Sequence, residues 1–323
     1  MITGARDHGG GLDAAIAAYG GVRSDWVDLS TGINPVPYPV GSMTDDVWTA
    51  LPDRGAFEQL EQAARRFWRV PDAASLIAAP GASALIARLP ALRAAGAVAI
   101  EGPTYNEHAA AFRAHGWQVA EDVRGAVARV QVHPNNPDGR AGDAAPRDGV
   151  LDVIDESFCD VTPEASVIAR TGQPGTIVLK SFGKFWGLAG LRLGFAIAHP
   201  DSLRGPGGTE LSELIGPWAV SGPALRIGAR ALGDVVWADE TRARLARDAE
   251  RLDGLVTGRS GATLVGGTDL FRLYDVGDAA QWQDHLARHR IWSRIFPYST
   301  RWLRLGLPHP TRWDQVADAL AGL

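Results

Sequence analysis

TIVLKSFGKFWGLAGLRLG, residues 176–194, sets an unbroken apolar run directly against a polar, glycine-rich segment. Thr176 to Leu179 reads as a strand buried on both faces, because apolar residues follow one another without alternation. Ser181 and Lys184 come immediately after it. Two upstream stretches repeat the order: VQVHPNNPDG (130–139) and VLDVIDESF (150–158) are apolar runs that end in polar residues. Further upstream, SLIAAPGASALIARLPALRAAG (75–96) gives a strand at Leu76–Ala79, a Pro-Gly turn and a helix from about Ser83. AVAIEGPTYNEHAAAFRAHGW (97–117) gives a strand at 97–101, a loop at Pro103-Thr104-Tyr105 and a helix to His115. Strands alternating with helices predict an α/β fold, a mainly parallel sheet covered by helices. In such sheets the chemistry lies beyond the carboxyl ends of the strands. Asn135, Asn136, Asp155, Glu156 and the segment from Ser181 to Lys184 all fall there.

From about Val235 the texture changes. WADETRARLARDAERLDGLVTG (237–258) reads as a long charged helix, supported by an i, i+4 pair between Glu240 and Arg244. Strand-like GATLVGG and LFRLYDV follow, then a helix, the strands IWSRIF and WLRLGL, and a last helix. The expected organisation is a large domain over 43–234 and a smaller α+β domain built from 1–42 and 235–323, with the Gly- and Pro-rich N-terminal arm wrapped onto it.

Across 323 residues, 46% hydrophobic and 21% charged, the composition is that of a globular protein with a substantial core. A net charge of −5 leaves no basic footprint for nucleic acid or an anionic membrane. The single cysteine, Cys159, excludes an intramolecular disulfide and a cysteine-rich metal site. The first residues lack a basic-then-apolar leader and no stretch has the length of a membrane span, so a cytoplasmic protein is expected.

Lys184 sits in a Gly- and aromatic-rich loop, where burial would lower an amine's pKa and make it a Schiff-base nucleophile; a solvated surface loop is the plainer alternative. Asp155, at a strand end, can pair with a protonated ring nitrogen or simply cap the next turn. Gly81-Ala82-Ser83 follows a strand and opens a helix, offering backbone N–H groups and a hydroxyl to an anion. Ser181 and Arg192 flank the lysine and can face the same anion. Tyr105 can lay its ring on a flat cofactor or be core; Asn136 can donate to a phenolate oxygen or belong to a turn.

The joint order of these parts resembles the class I/II aminotransferase superfamily, fold-type I pyridoxal-phosphate enzymes, over nearly the whole chain. S-x-x-K followed by G-L-R-L-G is the most specific piece, with N-N-P-x-G and D-E-x-F upstream. The resemblance implies that Lys184 carries pyridoxal 5′-phosphate, that Asp155 pairs with the pyridine nitrogen, and that Asn136 bonds the 3′-oxygen. It implies that Gly81, Ala82, Ser83, Ser181 and Arg192 hold the phosphate while Tyr105 stacks on the ring and joins Lys184 and Asp155 as the catalytic set. Two departures stand out. Phe158 occupies a position where the family usually has Tyr, and Leu51-Pro-Asp53 replaces a Tyr-Pro-Asp pattern that often supplies a phosphate contact from a partner subunit. The resemblance still implies a homodimer.

Trp302-Leu-Arg304-Leu-Gly resembles the family's substrate-carboxylate arginine, a task suited to a bidentate guanidinium. Arg294, in Ile291-Trp-Ser-Arg294, stands where phosphate-recognising members such as histidinol-phosphate aminotransferases bind substrate phosphate. His8-Gly9-Gly and Asp28-Leu-Ser-Thr-Gly-Ile33-Asn34-Pro look like the H-G-G and D-F-S-x-N-I-N-P segments of the threonine-phosphate decarboxylases of cobalamin biosynthesis. By that resemblance His8, Gly9, Ile33, Asn34, Asn136, Arg294 and Arg304 line the substrate. The implied reaction is decarboxylation of L-threonine O-3-phosphate to (R)-1-aminopropan-2-yl phosphate, with a histidinol-phosphate-type or other aminotransferase as the alternative.

Overall fold

The computed structural model describes residues 8–122, 124–142, 145–258 and 261–323. Chain contacts group them into two units. The large unit comprises Tyr38–Asn136 and Ala141–Ala238. The small unit comprises the described residues up to Pro37, the four residues Pro137–Arg140, and Asp239–Leu323.

Seven strands form the sheet of the large unit: β1 (Ser75–Ala79), β2 (Ala97–Ile100), β3 (Gln118–Ala120), β4 (Ala128–Val132), β5 (Leu151–Asp155), β6 (Thr176–Ser181) and β7 (Gly194–Ala198). Their spatial order is β1-β7-β6-β5-β4-β2-β3. All run parallel except β7, which is antiparallel to both its neighbours. Every residue of β5 and β7 is buried, as are all of β6 except Ser181, which explains why these strands read as continuous apolar runs. Burial of each such Leu, Ile or Val contributes roughly 1.5–3 kcal/mol. The polar exceptions are paired. Arg129 on β4 and Asp152 on β5 are register partners joined by two bonds of 2.7 and 2.9 Å, and Arg170 reaches the same carboxylate at 3.1 Å.

The small unit holds a four-stranded antiparallel sheet of β8 (Thr263–Thr268), β9 (Phe271–Asp275), β10 (Arg294–Phe296) and β11 (Ser299–Gly306), in the order β10-β11-β9-β8. Phe271, Leu273, Tyr274 and Leu303 are all buried, Phe271 and Leu273 on one face and Tyr274 and Leu303 on the other. The helix Val235–Thr257 carries the chain from the large unit into the small one. Within the small unit it is tied to β9 by Asp253, which accepts bonds from Arg272 and from the Tyr274 hydroxyl at 2.7 Å. The expected Glu240–Arg244 pair is not made. Arg244 turns instead to Asp248 at 3.2 Å and to the Asn34 side-chain oxygen at 2.7 Å. A carboxylate one turn further along and a buried amide thus compete successfully with the local pair, worth only about 0.2–0.5 kcal/mol.

Candidate active site

The carboxyl ends of β5 and β6 carry the centre of the site. Asp155 is the last residue of β5 and is buried. Its Oδ1 accepts from the Ser157 amide at 3.0 Å and the Ser157 hydroxyl at 2.5 Å. Its Oδ2 lies 2.8 Å from His108 Nε2, a fully buried imidazole on the helix Asn106–Ala114. Asp155 thus shapes the turn with one oxygen and also lines the cavity. Burial pushes its pKa up, but the His108 and Ser157 hydrogen bonds outweigh that and leave it below the usual carboxylate value. The contact assigns the proton to His108 Nε2; Nδ1 has no hydrogen-bond partner among the described residues.

Lys184 follows β6 by three residues. It is half-buried, with Nζ 5.2 Å from the centre of the buried Phe158 ring. The residue that departs from the family's usual Tyr thus forms an aromatic floor for the amine.

Across the cavity, Gly81 precedes a short helix, Ala82–Ile86, with φ +87. The positive φ favours glycine, and a side chain there would lie 2.6 Å from the Arg192 guanidinium and push it aside. Arg192 donates to the Ser83 hydroxyl at 2.8 Å and to the Ala189 carbonyl at 3.2 Å. A guanidinium, a hydroxyl and first-turn N–H groups converge, which is a donor set for a phosphate. Tyr105 leads into the helix of His108 and meets that ring edge-on, centroids 6.0 Å apart. Asn135 fastens the Tyr105 loop by donating to Pro103 O at 3.0 Å and accepting from Thr104 at 2.6 Å.

Ala82, Ser83, Tyr105, Asn136, Asp155, Phe158, Ser181, Lys184 and Arg192 line one cavity of about 140 Å³, with Gly81 at its margin. An amine, a buried carboxylate held anionic, an aromatic wall and a phosphate-binding turn fit pyridoxal 5′-phosphate. Lys184 would carry its aldehyde carbon, Asp155 its ring nitrogen, and Ser83 with Arg192 its phosphate. When bound, that group draws electrons from a bond to the substrate Cα.

In the small unit a second polar group forms. Arg294 on β10 and Arg304 on β11 are cross-strand partners, so two guanidinium groups share one face. Arg304 is 5% exposed; Nη2 donates to Ser30 O at 2.7 Å and the guanidinium lies 5.2 Å from the Phe271 ring centre. Burial first, and then the Arg294 charge, pull its pKa down to about 10, so it stays a cation at neutral pH. Arg294 donates to the His8 carbonyl at 2.8 Å, and Gly10 N donates to Ser30 Oγ at 2.7 Å. Ser30 is itself held by Asp28 Oδ1 at 2.6 and 2.9 Å. Gly9 explains itself here. A side chain on it would fall 2.4 Å from Ser30 O and 3.5 Å from Arg304 Nη2. His8 meets Arg294 through its carbonyl. The buried Asn34 accepts from Arg244 and from Val36 N at 3.0 Å, with half-buried Ile33 beside it.

Sequence reasoning missed His108 and Ser157. His108 shares the buried face of its helix with Phe112, four residues on, and a histidine in an apolar stripe was the available signal.

The family model for aminotransferase class I and II matches residues 134–320. A threonine-phosphate decarboxylase from Sinorhizobium sp is 40% identical, covering 97% of each chain, and one from Pseudomonas aeruginosa is 38% identical over 98% of this chain and 97% of its own. Among solved structures, the histidinol-phosphate aminotransferase from Sinorhizobium meliloti in complex with pyridoxal-5′-phosphate superposes with a TM-score of 0.79. It is 20% identical, and the match covers 97% of this chain and 94% of that one. Full-length identity at this level, joined to a family match across more than half the residues, means that the chain belongs to the class I and II aminotransferase family.

Proposed function

We propose that the protein decarboxylates L-threonine O-3-phosphate to (R)-1-aminopropan-2-yl phosphate, with pyridoxal 5′-phosphate as cofactor, as a step of cobalamin biosynthesis. One observation carries this reading. Arg294 and Arg304 stand opposite one another in register on neighbouring strands of the small unit, two cations for a substrate with two anionic groups. The relatives at 38–40% identity, both called threonine-phosphate decarboxylases, support it.

In this reading, residues 43–234 serve the cofactor and residues 1–42 with 235–323 serve the substrate. Arg294, which bonds the His8 carbonyl, takes the phosphate, with His8, Gly9 and Asn34 as further phosphate contacts. Arg304 would take the carboxylate, and a phosphate held by Arg294 would fix the orientation of that carboxylate. Ile33 and Asn136 would each contribute a further substrate contact from their own unit. Asp155, held anionic, would pair with the cofactor's ring nitrogen, and Lys184 Nζ would supply the proton that Cα takes in place of the lost carboxylate.

We further propose a homodimer working in the cytoplasm. The large unit exposes Trp48 (66%), Leu51 (66%) and Trp218 (58%), large apolar side chains of the kind buried between subunits. No helix of the described residues is long and apolar enough to cross a membrane. Asp53, in the departed Leu51-Pro-Asp53 pattern, caps the helix Arg54–Trp68 by accepting from Ala56 N at 2.9 Å.

Comparing L-threonine O-3-phosphate with L-threonine tests the phosphate recognition. Loss of the phosphate should cut kcat/KM by roughly 10²-fold or more, as for a site whose buried polar groups lose their partner. Equal rates with both substrates would refute it.

A further inference from the structure

Behind the lysine loop lies a buried polar network that the cofactor and substrate assignments leave unused. Trp186, two residues after Lys184, is fully buried, and its indole Nε1 donates to Asp160 Oδ2 at 3.1 Å. Asp160 Oδ1 accepts from Trp68 Nε1 at 3.0 Å and from Lys180 Nζ at 3.4 Å. Lys180, also buried, bonds Glu156 Oε2 at 2.7 Å, and Glu156 is held in turn by Ser166 Oγ at 2.6 Å and Val167 N at 2.7 Å. The alternation of β6 accounts for the placement: Ser181 lines the cavity, so its neighbour Lys180 points to the other side.

The ring of Trp186 is fixed as firmly as its N–H. It stacks between Phe182 and Trp237, centroids 5.2 and 5.4 Å away and both planes within 13°. Tyr38 meets its edge at 6.1 Å, and the Tyr38 amide donates to the Trp186 carbonyl at 2.9 Å. Gly187 N donates to Lys184 O at 3.0 Å, so the turn bearing the lysine closes directly onto this anchor.

A buried ionic network is costly to desolvate, and well-packed apolar residues in its place often give equal or better stability. Its defensible use is to fix one geometry. We infer that Trp186 is a positioning residue for Lys184: the bond from its indole N–H to Asp160 sets the loop that holds Nζ over the Phe158 ring. This rests on Lys184 being the cofactor lysine and is independent of which reaction follows.

The decisive variant is Trp186→Phe, which keeps a stacked ring and removes only the N–H. In holoenzyme with no substrate present, the visible absorbance of the lysine-bound cofactor is titrated against pH. Melting temperature and cofactor content are measured alongside. The midpoint should move by about half a pH unit or more, while cofactor content remains near one per chain. With substrate, kcat should fall roughly tenfold or more with KM held within about twofold, the signature of a misplaced catalytic group. Asp160→Asn, which keeps the indole and weakens its acceptor, should shift the midpoint in the same direction and decides the matter if Trp186→Phe does not fold. An unmoved midpoint overturns the inference. That holds whether turnover is unchanged or whether rate, cofactor content and melting temperature fall together, as a purely structural role requires. Because the midpoint is read without substrate, a failure of the decarboxylase reading leaves this test intact.

Discussion

Asp155 shows how one side chain is prepared for its task by its two oxygens separately. Ser157 occupies one oxygen from below the turn, and His108 holds the other from a helix whose sequence lies 47 residues upstream. Its depressed pKa has a definite sign. Stability from the ionised carboxylate is fully present above the ordinary value of 3.8 and is lost only as pH falls through the lower folded value. The acid side of the activity profile near neutrality therefore belongs to other groups. Asp155→Asn should bind cofactor but lose roughly 10²–10³-fold in kcat, by analogy with removal of one preorganised electrostatic partner. Steady-state kinetics on cofactor-loaded protein measure this, and a loss under tenfold would exclude the ring-nitrogen role. At this scale Lys184, Asp155 and Arg192 were legible because each follows an apolar run in a distinctive local order. Lys180 and Asp160 were not. Their partners meet them only after the chain has folded, and nothing in TIVLKS or DESFCD separates a bonded polar residue from a solvated one.

The small-unit strip illustrates how an element is built around glycine. Gly9 lies against Ser30 O, Gly10 bonds Ser30 Oγ, and Trp292 Nε1 donates to Gly10 O at 3.0 Å, so the arm has backbone partners on both sides. Gly9→Ala places a methyl group 2.4 Å from a carbonyl oxygen, and the arm must shift away from Arg304. KM for L-threonine O-3-phosphate should rise roughly tenfold or more, on the scale of about 1.4 kcal/mol. The cofactor spectrum should stay unchanged, because the strip belongs to the small unit. An unaltered KM would remove the arm from substrate recognition. The H-G-G segment was visible in the sequence, but its physical cause, a backbone contact about twenty residues away, was not. The helix Val235–Thr257 teaches the converse lesson. Glu240 and Arg244 have ideal spacing, yet Arg244 bonds Asn34, 210 residues distant, because a buried amide offers a better-shielded partner than an exposed carboxylate.

For the whole molecule, the strand–helix alternation pointed to an α/β class with a mainly parallel sheet, and the one antiparallel strand of that seven-stranded sheet, β7, escaped notice since GFAIA reads like any buried strand. The chain's passage into the small unit for only Pro137–Arg140, in the middle of the large one, has no compositional mark either. Exposed Trp48 and Leu51 bear on assembly. Trp48→Lys with Leu51→Lys should convert a sedimenting dimer to monomer while leaving the fold intact, and a parent protein that sediments as a monomer would contradict the homodimer.

The central claim is tested most directly with cofactor-loaded protein, L-threonine O-3-phosphate and no keto acid, following carbon dioxide and the amine together. Equimolar release of both over many turnovers is the predicted result. Conversion of the cofactor to its amine form in a single turnover, reversed by a keto acid and without carbon dioxide, would contradict it and make the protein an aminotransferase.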